Sequence, residues 1–438
     1  MSEQDQQRPE GTVGLAELVD GWRRYDENLL LHNPGSEDEC LVRPGELVVG
    51  DRAYARFHEE FGRWVDDERS EDLRADLRLT KVRLRDRERG REVDIARDAA
   101  ASLGPSADEL AEDELSAYRG TVSANHVHLG CATPVDTGWS GAPIMYGTPI
   151  MYGTPIMYGT PIMYGTGSEA ELQHPVPPPP VERWDRQVNV MILDTGLDPH
   201  PWFADRPWLS DWGLTPEVLD ADDDAGQDRQ AGHGTFIAGI VLRHAPGAMI
   251  RHRKTLSSLG FTDDVTVVRG LRKARHTAAR RGAHIDVVVL SSGCHTANNE
   301  CPPLVRREIA KYRDSVVVCS AGNFGTERKF WPAALPEVVA VAATGPDGGL
   351  AEFSNRGPWV DAAAEGVDVL SAYPRLLPGA GRKEPDNENR EYRVASWSGT
   401  SFAAPRVAAE IACRINAGLD AHRAAAAVVA ANPVPSPS

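Results

Sequence analysis

Residues 181–432 alternate short apolar runs with stretches of helical spacing, and no other feature of the sequence constrains the fold as strongly. The apolar runs include Val188–Leu193, His284–Leu290 and Val338–Ala343, and each has the length of one buried strand. Strands that alternate with helices along a chain are typical of a mostly parallel sheet covered by helices on both faces. We therefore expect an α/β three-layer fold, with functional side chains at the carboxyl ends of the strands.

A repeat and a proline-rich tract separate this domain from the rest of the chain. The hexapeptide PIMYGT occurs four times in tandem between Pro143 and Thr166, and the sequence HPVPPPP ends at Pro180. Each Thr-Pro junction disfavours helix, and the prolines favour an extended polyproline II spacer. We predict that residues 136–180 form a mobile linker and that the main domain begins near Val181.

The region before the linker, residues 13–135, has the pattern of a small α+β domain. Cys40–Val49 predicts a strand that is interrupted at its Pro-Gly pair, and Leu77–Leu84 alternates as a strand does. Arg52–Val65 carries its apolar residues at helical spacing. These patterns together predict a small α+β domain, whose role they do not reveal.

The charge and the cysteines exclude several classes of protein. A formal net charge of −17 is unfavourable for binding phosphate backbones, so no nucleic-acid partner is expected. The sequence has no apolar run long enough to span a membrane and no leader-like start, so we expect a cytoplasmic protein without a membrane partner. The six cysteines are too scattered for a disulfide scaffold or a zinc site, although Cys294 and Cys301 are near enough in sequence to bridge one loop. Residues 1–12 and 433–438 are polar ends that we expect to be disordered.

A serine at the start of a helix is the first candidate for chemistry. Ser401 lies in the sequence SGTSFAAP, and the residues after it carry apolar side chains on one helical face as far as Gly418. Pro405 fits this helix if it occupies the first turn. At a helix N-terminus, the dipole and the unpaired N–H groups stabilise negative charge near the hydroxyl. Taken alone, a serine in this position is more often an ordinary N-cap.

Two further motifs supply a base and an acid. His233 opens a helix in the sequence GHGT, where the flanking glycines let the imidazole approach a reacting group. Asp194 follows the apolar strand VNVMIL and begins the sequence DTG. A serine hydroxyl is a weak nucleophile without a base, and the base needs an acid that holds its tautomer. Asp194, His233 and Ser401 together therefore predict nucleophilic catalysis.

The sequence DTG also occurs in aspartic proteases, in which two aspartates share one proton, and this chain has a second copy at Asp136. That copy follows no apolar strand. The repeat lies between the two copies and leaves no room for two equivalent lobes, so we reject this interpretation.

Together these motifs resemble the subtilisin family, which has the same order of acid, base and serine and the same local sequences DTG, HGT and GTSFAAP. The resemblance covers about residues 181–430. It implies a subtilisin-like three-layer fold and a serine endopeptidase that acts on polypeptide substrates through an acyl-enzyme. It also implies that Asn323, which follows the strand SVVVC, binds the oxyanion, and that Ser258–Phe261 forms one edge of the substrate cleft. The residues that would line the substrate pocket are Ser291, Ser292, Gly293, Ser320, Ala321 and Gly322.

The chain also departs from that family. Many subtilisins carry a calcium-binding loop in a stretch that is short here, between the helix of His233 and Ala245–Gly247. We therefore expect neither a metal nor a cofactor. The acidic run Asp220–Asp224 is interpreted as a solvated loop.

Two alternatives stay open on the sequence alone. A pseudoprotease would use the same cleft only to bind peptides, but the filled catalytic positions favour an enzyme. Residues 13–135 fit an inhibitory prodomain, a partner-binding module or a sensor. The PIMYGT repeat is interpreted as a flexible spacer, with a substrate or tethered inhibitor of its own active site as the second hypothesis.

Overall fold

The computed structural model describes residues 26–103, 122–130, 176–209, 214–224, 226–377 and 389–435, together with residues 19 and 23. The PIMYGT repeat, the second DTG copy at Asp136 and residues 1–12 lie outside this part of the chain. Within it, no helix is both long and apolar enough to cross a membrane. Cys294 and Cys301 are both unbridged thiols.

In the part of the chain that the structure describes, the N-terminal domain is one antiparallel sheet with two longer helices packed against it. The sheet has the order β5-β2-β4-β3, and β1 pairs with the first residues of β2. Phe57, Phe61 and Ile95 from the helices are buried together with Leu47 and Val82 from the sheet. The elements are β1 (Leu30–His32), β2 (Cys40–Gly50), α1 (Tyr54–Phe61), β3 (Val65–Asp72), α2 (Arg74–Leu77), β4 (Leu79–Leu84), α3 (Glu92–Leu103) and β5 (Val122–Gly130).

Two elements of this domain differ from the sequence prediction. The expected interruption of the first long strand is wrong, because β2 continues through its Pro-Gly pair and absorbs the extra residues in a bulge between Val42 and Leu47. Gly45 has a φ of +73°, a conformation that side chains rarely adopt and that lets the strand continue. The helix predicted over 52–65 is shorter, because the chain tightens into a 3₁₀ turn at Gly62 before β3 begins.

The second domain contains the predicted alternation of strands and helices. Its elements are β6 (Asn189–Asp194), α4 (His233–His244), β7 (Met249–Lys254), β8 (Phe261–Asp263), α5 (Asp264–Arg280), β9 (Val287–Leu290), β10 (Ser292–Gly293), α6 (Pro303–Ile309), β11 (Val316–Ser320), β12 (Val338–Thr344), β13 (Ala362–Glu365), β14 (Val369–Leu376), β15 (Arg390–Trp397), α7 (Thr400–Asn416) and α8 (Ala421–Ala431).

The six strands of the central sheet are all parallel and follow the order β13-β12-β11-β9-β6-β7. Side chains alternate along β6: Val190 and Ile192 enter the core formed with α4 and α7, while Met191 and Leu193 enter the core formed with α5 and α6. Helices therefore cover both faces of the sheet, and the predicted α/β three-layer fold is confirmed.

The strand β5 joins the two domains. Its first half pairs with β2 of the N-terminal sheet, and its second half pairs antiparallel with β8 and β10 of the second domain. The sheet of the N-terminal domain thus continues into the second domain through a strand that both share.

Candidate active site

Three neighbouring strands of the central sheet deliver the predicted site residues to one edge. Asp194 is the last residue of β6, Ser291 directly follows β9, and Asn323 follows the end of β11. These strands are adjacent in the sheet and parallel, so their carboxyl ends lie side by side. This topology explains why residues far apart in sequence meet at one place.

Asp194 and His233 form a buried hydrogen-bonded pair. The Nδ1–H of His233 donates to Asp194 Oδ1 over 2.7 Å, and the side chains are 0% and 2% exposed. Because a carboxylate only accepts hydrogen bonds, this contact fixes the proton on Nδ1 and leaves Nε2 as the basic atom of the neutral ring. Nε2 has no hydrogen-bond partner in the described part of the chain.

The DTG and HGT sequences hold each other in place. The backbone N–H of Thr195 donates to the same oxygen of Asp194 over 2.8 Å. The Thr195 hydroxyl in turn accepts from the N–H of Gly234 at the start of α4, over 2.9 Å. The carboxylate and the imidazole are therefore fixed by backbone groups of the loops that carry them.

Ser401 is the second residue of α7 and is fully buried. Its Oγ lies 3.5 Å from the carbonyl oxygen of Ser291. The ring of Phe402, the next residue, lies 5.3 Å from the His233 ring, which puts the serine and the base on the same side of the sheet. Pro405 is the sixth residue of this helix and not part of its first turn. Because proline has no N–H, the backbone carbonyl oxygen of Ser401 lacks the helical hydrogen bond that another residue at 405 would donate.

Asn323 is anchored to the start of the same helix. Its Oδ1 accepts from the N–H of Thr400 over 3.0 Å and from the Thr400 hydroxyl over 2.8 Å. That oxygen fixes the orientation of the carboxamide, so the Nδ2–H₂ group at its other end is the one that can donate hydrogen bonds.

The predicted pocket segments lie on either side of a buried phenylalanine. A Cβ atom on Gly293 would be 2.4 Å from a ring carbon of Phe330, and one on Gly322 would be 3.0 Å from another. The hydroxyls of Ser291 and Ser320 are buried without a hydrogen-bond partner among the described residues. Both segments therefore pack against the same ring, and each has a buried hydroxyl that could bind a further polar group. Ser292 and Gly293 form β10, and Ala321 is buried behind Gly322.

We call the space between β8 and β10 the cleft. Strand β5 lies in it. Leu129 pairs with Phe261 on one side and with Gly293 on the other, and Gly130 pairs with Ser292. The N–H of Gly130 also donates to Gly260 O over 2.9 Å. The segment 258–261, predicted as a cleft edge, thus lies beside the strand that fills the cleft. No sequence motif had indicated that β5 enters the cleft, because its partners in the second domain lie more than 130 positions away in the chain.

A buried acidic network lies under the first turn of α4, and sequence reasoning missed it. Glu217 Oε1 accepts from the N–H and the hydroxyl of Thr235 over 3.0 and 3.1 Å. Burial raises the pKa of Glu217 to about 7, and the negative charges of Asp198 and Asp194 add to this rise. Asp198 forms a buried ion pair with Arg390, 2.6 Å long. None of these residues stands in a recognisable motif, so only the fold reveals the network.

Among the residues that the structure describes, two groups of side chains have donor atoms close enough to share a cation. One is Asp220, Asp222 and Asp224, and burial, followed by the charge of Asp224, raises the pKa of Asp222 to about 6. The N–H of Asp224 donates to Asp220 Oδ1, so the loop already satisfies part of this group. The other is His128, Asp264 and Cys294, where β5 meets the second domain.

A family model described as the subtilase family matches residues 185–429. The chain belongs to the subtilase family. Subtilisin Savinase of Lederbergia lenta is 30% identical over 230 residues, which cover 50% of this chain and 73% of that protein. An alkaline protease of Alkalihalobacillus alcalophilus is 30% identical over 230 residues, 50% of this chain and only 52% of its own length. A solved cold adapted subtilisin-like serine proteinase has a TM-score of 0.41 and 24% identity, covering 56% of this chain and 82% of its own. Membership of the subtilase family confirms the predicted enzyme class, a serine-type endopeptidase.

Proposed function

We propose that this subtilase hydrolyses peptide bonds with Ser401 as the nucleophile, His233 as the base, Asp194 as the orienting acid and Asn323 as an oxyanion donor. The observation that carries the proposal is the buried pair of Asp194 and His233, 2.7 Å apart, with the unpartnered Nε2 beside the helix of Ser401. A base so oriented can take the hydroxyl proton, which a serine needs to attack a carbonyl.

The reaction follows from these positions. Rotation about the Cα–Cβ bond turns Ser401 Oγ from the Ser291 carbonyl towards His233 Nε2, which removes the proton as Oγ attacks. The Asn323 amide and the Ser401 backbone N–H stabilise the oxyanion of the tetrahedral intermediate. His233 then gives the proton to the leaving amine, and water attacks the acyl-enzyme with His233 again as base.

A fluorophosphonate probe distinguishes this enzyme from a pseudoprotease. The probe reacts only with an activated serine, so we expect one label on the wild-type chain, at Ser401, and none on Ser401→Ala. If the Gly130→Val chain, in which we expect the cleft to be open (see below), also stayed unlabelled, only the peptide-binding alternative would be left.

We further propose that the N-terminal domain inhibits the protease domain in cis. Main-chain pairing to both edges of a cleft is how an extended peptide is recognised by strand addition, and β5 makes such pairs with Phe261 and Gly293. Side chains of the second domain support this docking: Arg307 donates to Leu77 O over 2.8 Å, and Arg328 donates to Glu39 O. While β5 stays in the cleft, a substrate strand cannot enter.

The register of β5 also indicates which bond a bound chain presents. Ser291 precedes the residue paired with Gly130, and its carbonyl oxygen is the group 3.5 Å from Ser401 Oγ. A substrate strand in this register would present its reactive carbonyl one residue beyond the position of Gly130. In this chain that residue is Cys131, which lies outside the described residues.

One substitution tests the inhibition directly. A Cβ atom on Gly130 would be 2.9 Å from a side-chain carbon of Leu256 and 3.3 Å from Gln230 Oε1, so Gly130→Val should expel the end of β5 from the cleft. We expect a higher rate of peptide hydrolysis than in the wild-type chain. Ala101→Val puts a valine side chain on the exposed surface of α3 and should change nothing. Equal rates for Gly130→Val and the wild type would contradict inhibition by β5.

Intact-mass analysis separates the two hypotheses for the linker. A self-cleaving chain should give a cut shortly after Gly130 that is missing in Ser401→Ala. Cuts confined to the PIMYGT repeat would instead favour the repeat as the substrate. If the wild type and Ser401→Ala both stayed uncut, the interpretation of the repeat as a spacer would remain.

A further inference from the structure

The side chain of Asp264 binds two histidines of the strand that fills the cleft. His128 Nε2 lies 2.7 Å from Asp264 Oδ1, and His126 Nδ1 lies 3.0 Å from Oδ2. The backbone N–H of His126 donates to Oδ2 as well, over 2.9 Å. Asp264 is 1% exposed and His128 is 0% exposed, so these contacts are closed to water.

The register of β5 gives this contact a position in a bound peptide. The residue after Gly130 takes the position directly before the attacked bond. Counting back from that bond, Gly130 is the second residue and His128 is the fourth. His126 and His128 alternate onto the same side of the strand, towards α5, whose first residue is Asp264. Asp264 therefore faces the fourth side chain of any peptide that binds as β5 does.

The charge of Asp264 makes the contact selective. Burial by itself would raise the pKa of this carboxyl group, but the charges and hydrogen bonds of His126 and His128 outweigh it and hold the pKa at about 2. A buried carboxylate without a partner is strongly unfavourable. An apolar side chain in the place of His128 would leave Oδ1 without its donor, whereas an imidazole N–H satisfies it.

His128, Asp264 and Cys294 could instead bind a metal ion together, since Cys294 Sγ lies 3.8 Å from His128 Nε2. A metal on Nε2 would put the proton on Nδ1, and that atom is buried with no partner among the described residues. Metal-bound histidines normally donate their other N–H to an acceptor. Burial raises the pKa of the Cys294 thiol well above its usual value, which also opposes a thiolate ligand. The direct hydrogen bond fits these observations better.

We propose that Asp264 determines specificity, by selecting peptides with histidine four residues before the cleaved bond, and that the same contact holds the N-terminal domain in the cleft. The inference rests on the proposed function, because it uses β5 as the image of a bound substrate. Asp264 acts through binding alone and takes no part in the bond-breaking steps.

Two peptides and two variants test the selectivity. One fluorogenic peptide copies residues 126–132, and the other has leucine in the place of His128. We expect Gly130→Val protein to cleave the histidine peptide with a kcat/KM roughly 10- to 100-fold higher than the leucine peptide, the range that one lost partner of a buried polar group produces. Adding Asp264→Leu should bring the ratio to about one or reverse it, mainly by losing activity on the histidine peptide. Asp264→Asn keeps an acceptor and should fall between. Asp347→Asn, on an exposed loop, should leave the ratio unchanged.

A second readout needs no catalysis. In Ser401→Ala protein, Asp264→Leu should speed hydrogen exchange of the backbone amides of Val127 and Leu129, while Asp347→Asn should not. Equal cleavage of both peptides, or a ratio that survives in Asp264→Leu, would overturn the selectivity while leaving the protease intact. If no variant reacts with a fluorophosphonate, it is the proposed function that fails. If Asp264→Leu left hydrogen exchange in β5 unchanged, the proposal that this contact holds the N-terminal domain in the cleft would fail as well.

Discussion

Gly234 lies so close to Gly196 that a Cβ atom on Gly234 would be 2.2 Å from the Gly196 carbonyl oxygen. No real Cβ atom approaches an oxygen so closely, and the oxygen belongs to backbone that cannot swing aside. The same virtual atom would be 3.3 Å from Cβ of Asp194. The first turn of α4 therefore packs directly on the DTG loop, and this contact sets the distance between base and acid.

Replacing Gly234 by alanine should separate the two loops and weaken the contact between His233 and Asp194. Because positioned acid–base catalysis contributes about 10²- to 10⁴-fold, we expect kcat to fall by at least about 100-fold. The measurement is kcat on a fluorogenic peptide in the Gly130→Val background. Gly349→Ala is the matched control, since the nearest atoms to its Cβ would be those of the Asp347 carboxyl group, at 3.5 Å or more. Equal kcat values for both variants would contradict the role assigned to this packing.

Asp194→Asn tests the tautomer. The amide group can donate to Nδ1, which moves the imidazole proton to Nε2, where it blocks acceptance of the Ser401 proton. In a triad of this type the change lowers kcat by about 10⁴-fold. Asp286→Asn is a suitable control, because Asp286 is a buried acid that accepts from Asn189 N on the opposite edge of the sheet. A fall of similar size in the control would assign the loss to folding rather than to the tautomer.

Asn323 anchors the start of α7 and is also the proposed oxyanion donor, and substitution can separate the two. Asn323→Asp keeps the oxygen that accepts from Thr400 but loses the amide donor, so kcat should fall by roughly 100- to 1,000-fold or more with little loss of stability. Asn323→Ala loses both functions and leaves two buried Thr400 donors unpaired, at about 1–3 kcal/mol each. The checks are kcat on the peptide and the midpoint of urea unfolding. If Asn323→Asp retained kcat, the oxyanion would have to be bound elsewhere.

The residues of the proposed triad could be picked out of the sequence because each lies in a local sequence with its own physical signature. Asp194 ends an apolar strand, His233 and Ser401 open helices, and parallel strands bring such ends together. The residue spacing along the chain was of no help, since topology alone decides which ends are neighbours.

The occupant of the cleft could not be predicted in the same way. Strand β5 pairs with Phe261 and Gly293, and nothing within the sequence of β5 specifies partners at such separation. One signal was present: His126 and His128 alternate in ANHVHLG, which places two titratable side chains on one face of a strand. Their partner Asp264 gives no sign of its role, because it looks like an acidic residue in the first turn of an ordinary helix.

Glu217 provides the remaining prediction, a pH dependence of stability. The pKa of this buried acid is about 7 in the folded protein, against an ordinary value of 4.5, with burial as the main cause. The folded state therefore holds the proton more tightly than the unfolded state does. Stability is greatest below the ordinary pKa and falls as the pH rises towards 7, by up to about 3 kcal/mol from this one group.

Glu217→Gln should remove that part of the pH dependence, because glutamine keeps an acceptor for Thr235 and cannot ionise. We expect the free energy of urea unfolding in Ser401→Ala protein to fall between about pH 4.5 and 7, and to fall less steeply once Glu217→Gln is added. Glu352→Gln, at an exposed position, should retain the original slope. A variant that follows the original pH profile would show that Glu217 enters the folded state as a carboxylate. In that case the network of Asp198 and Arg390 must stabilise the negative charge of Glu217.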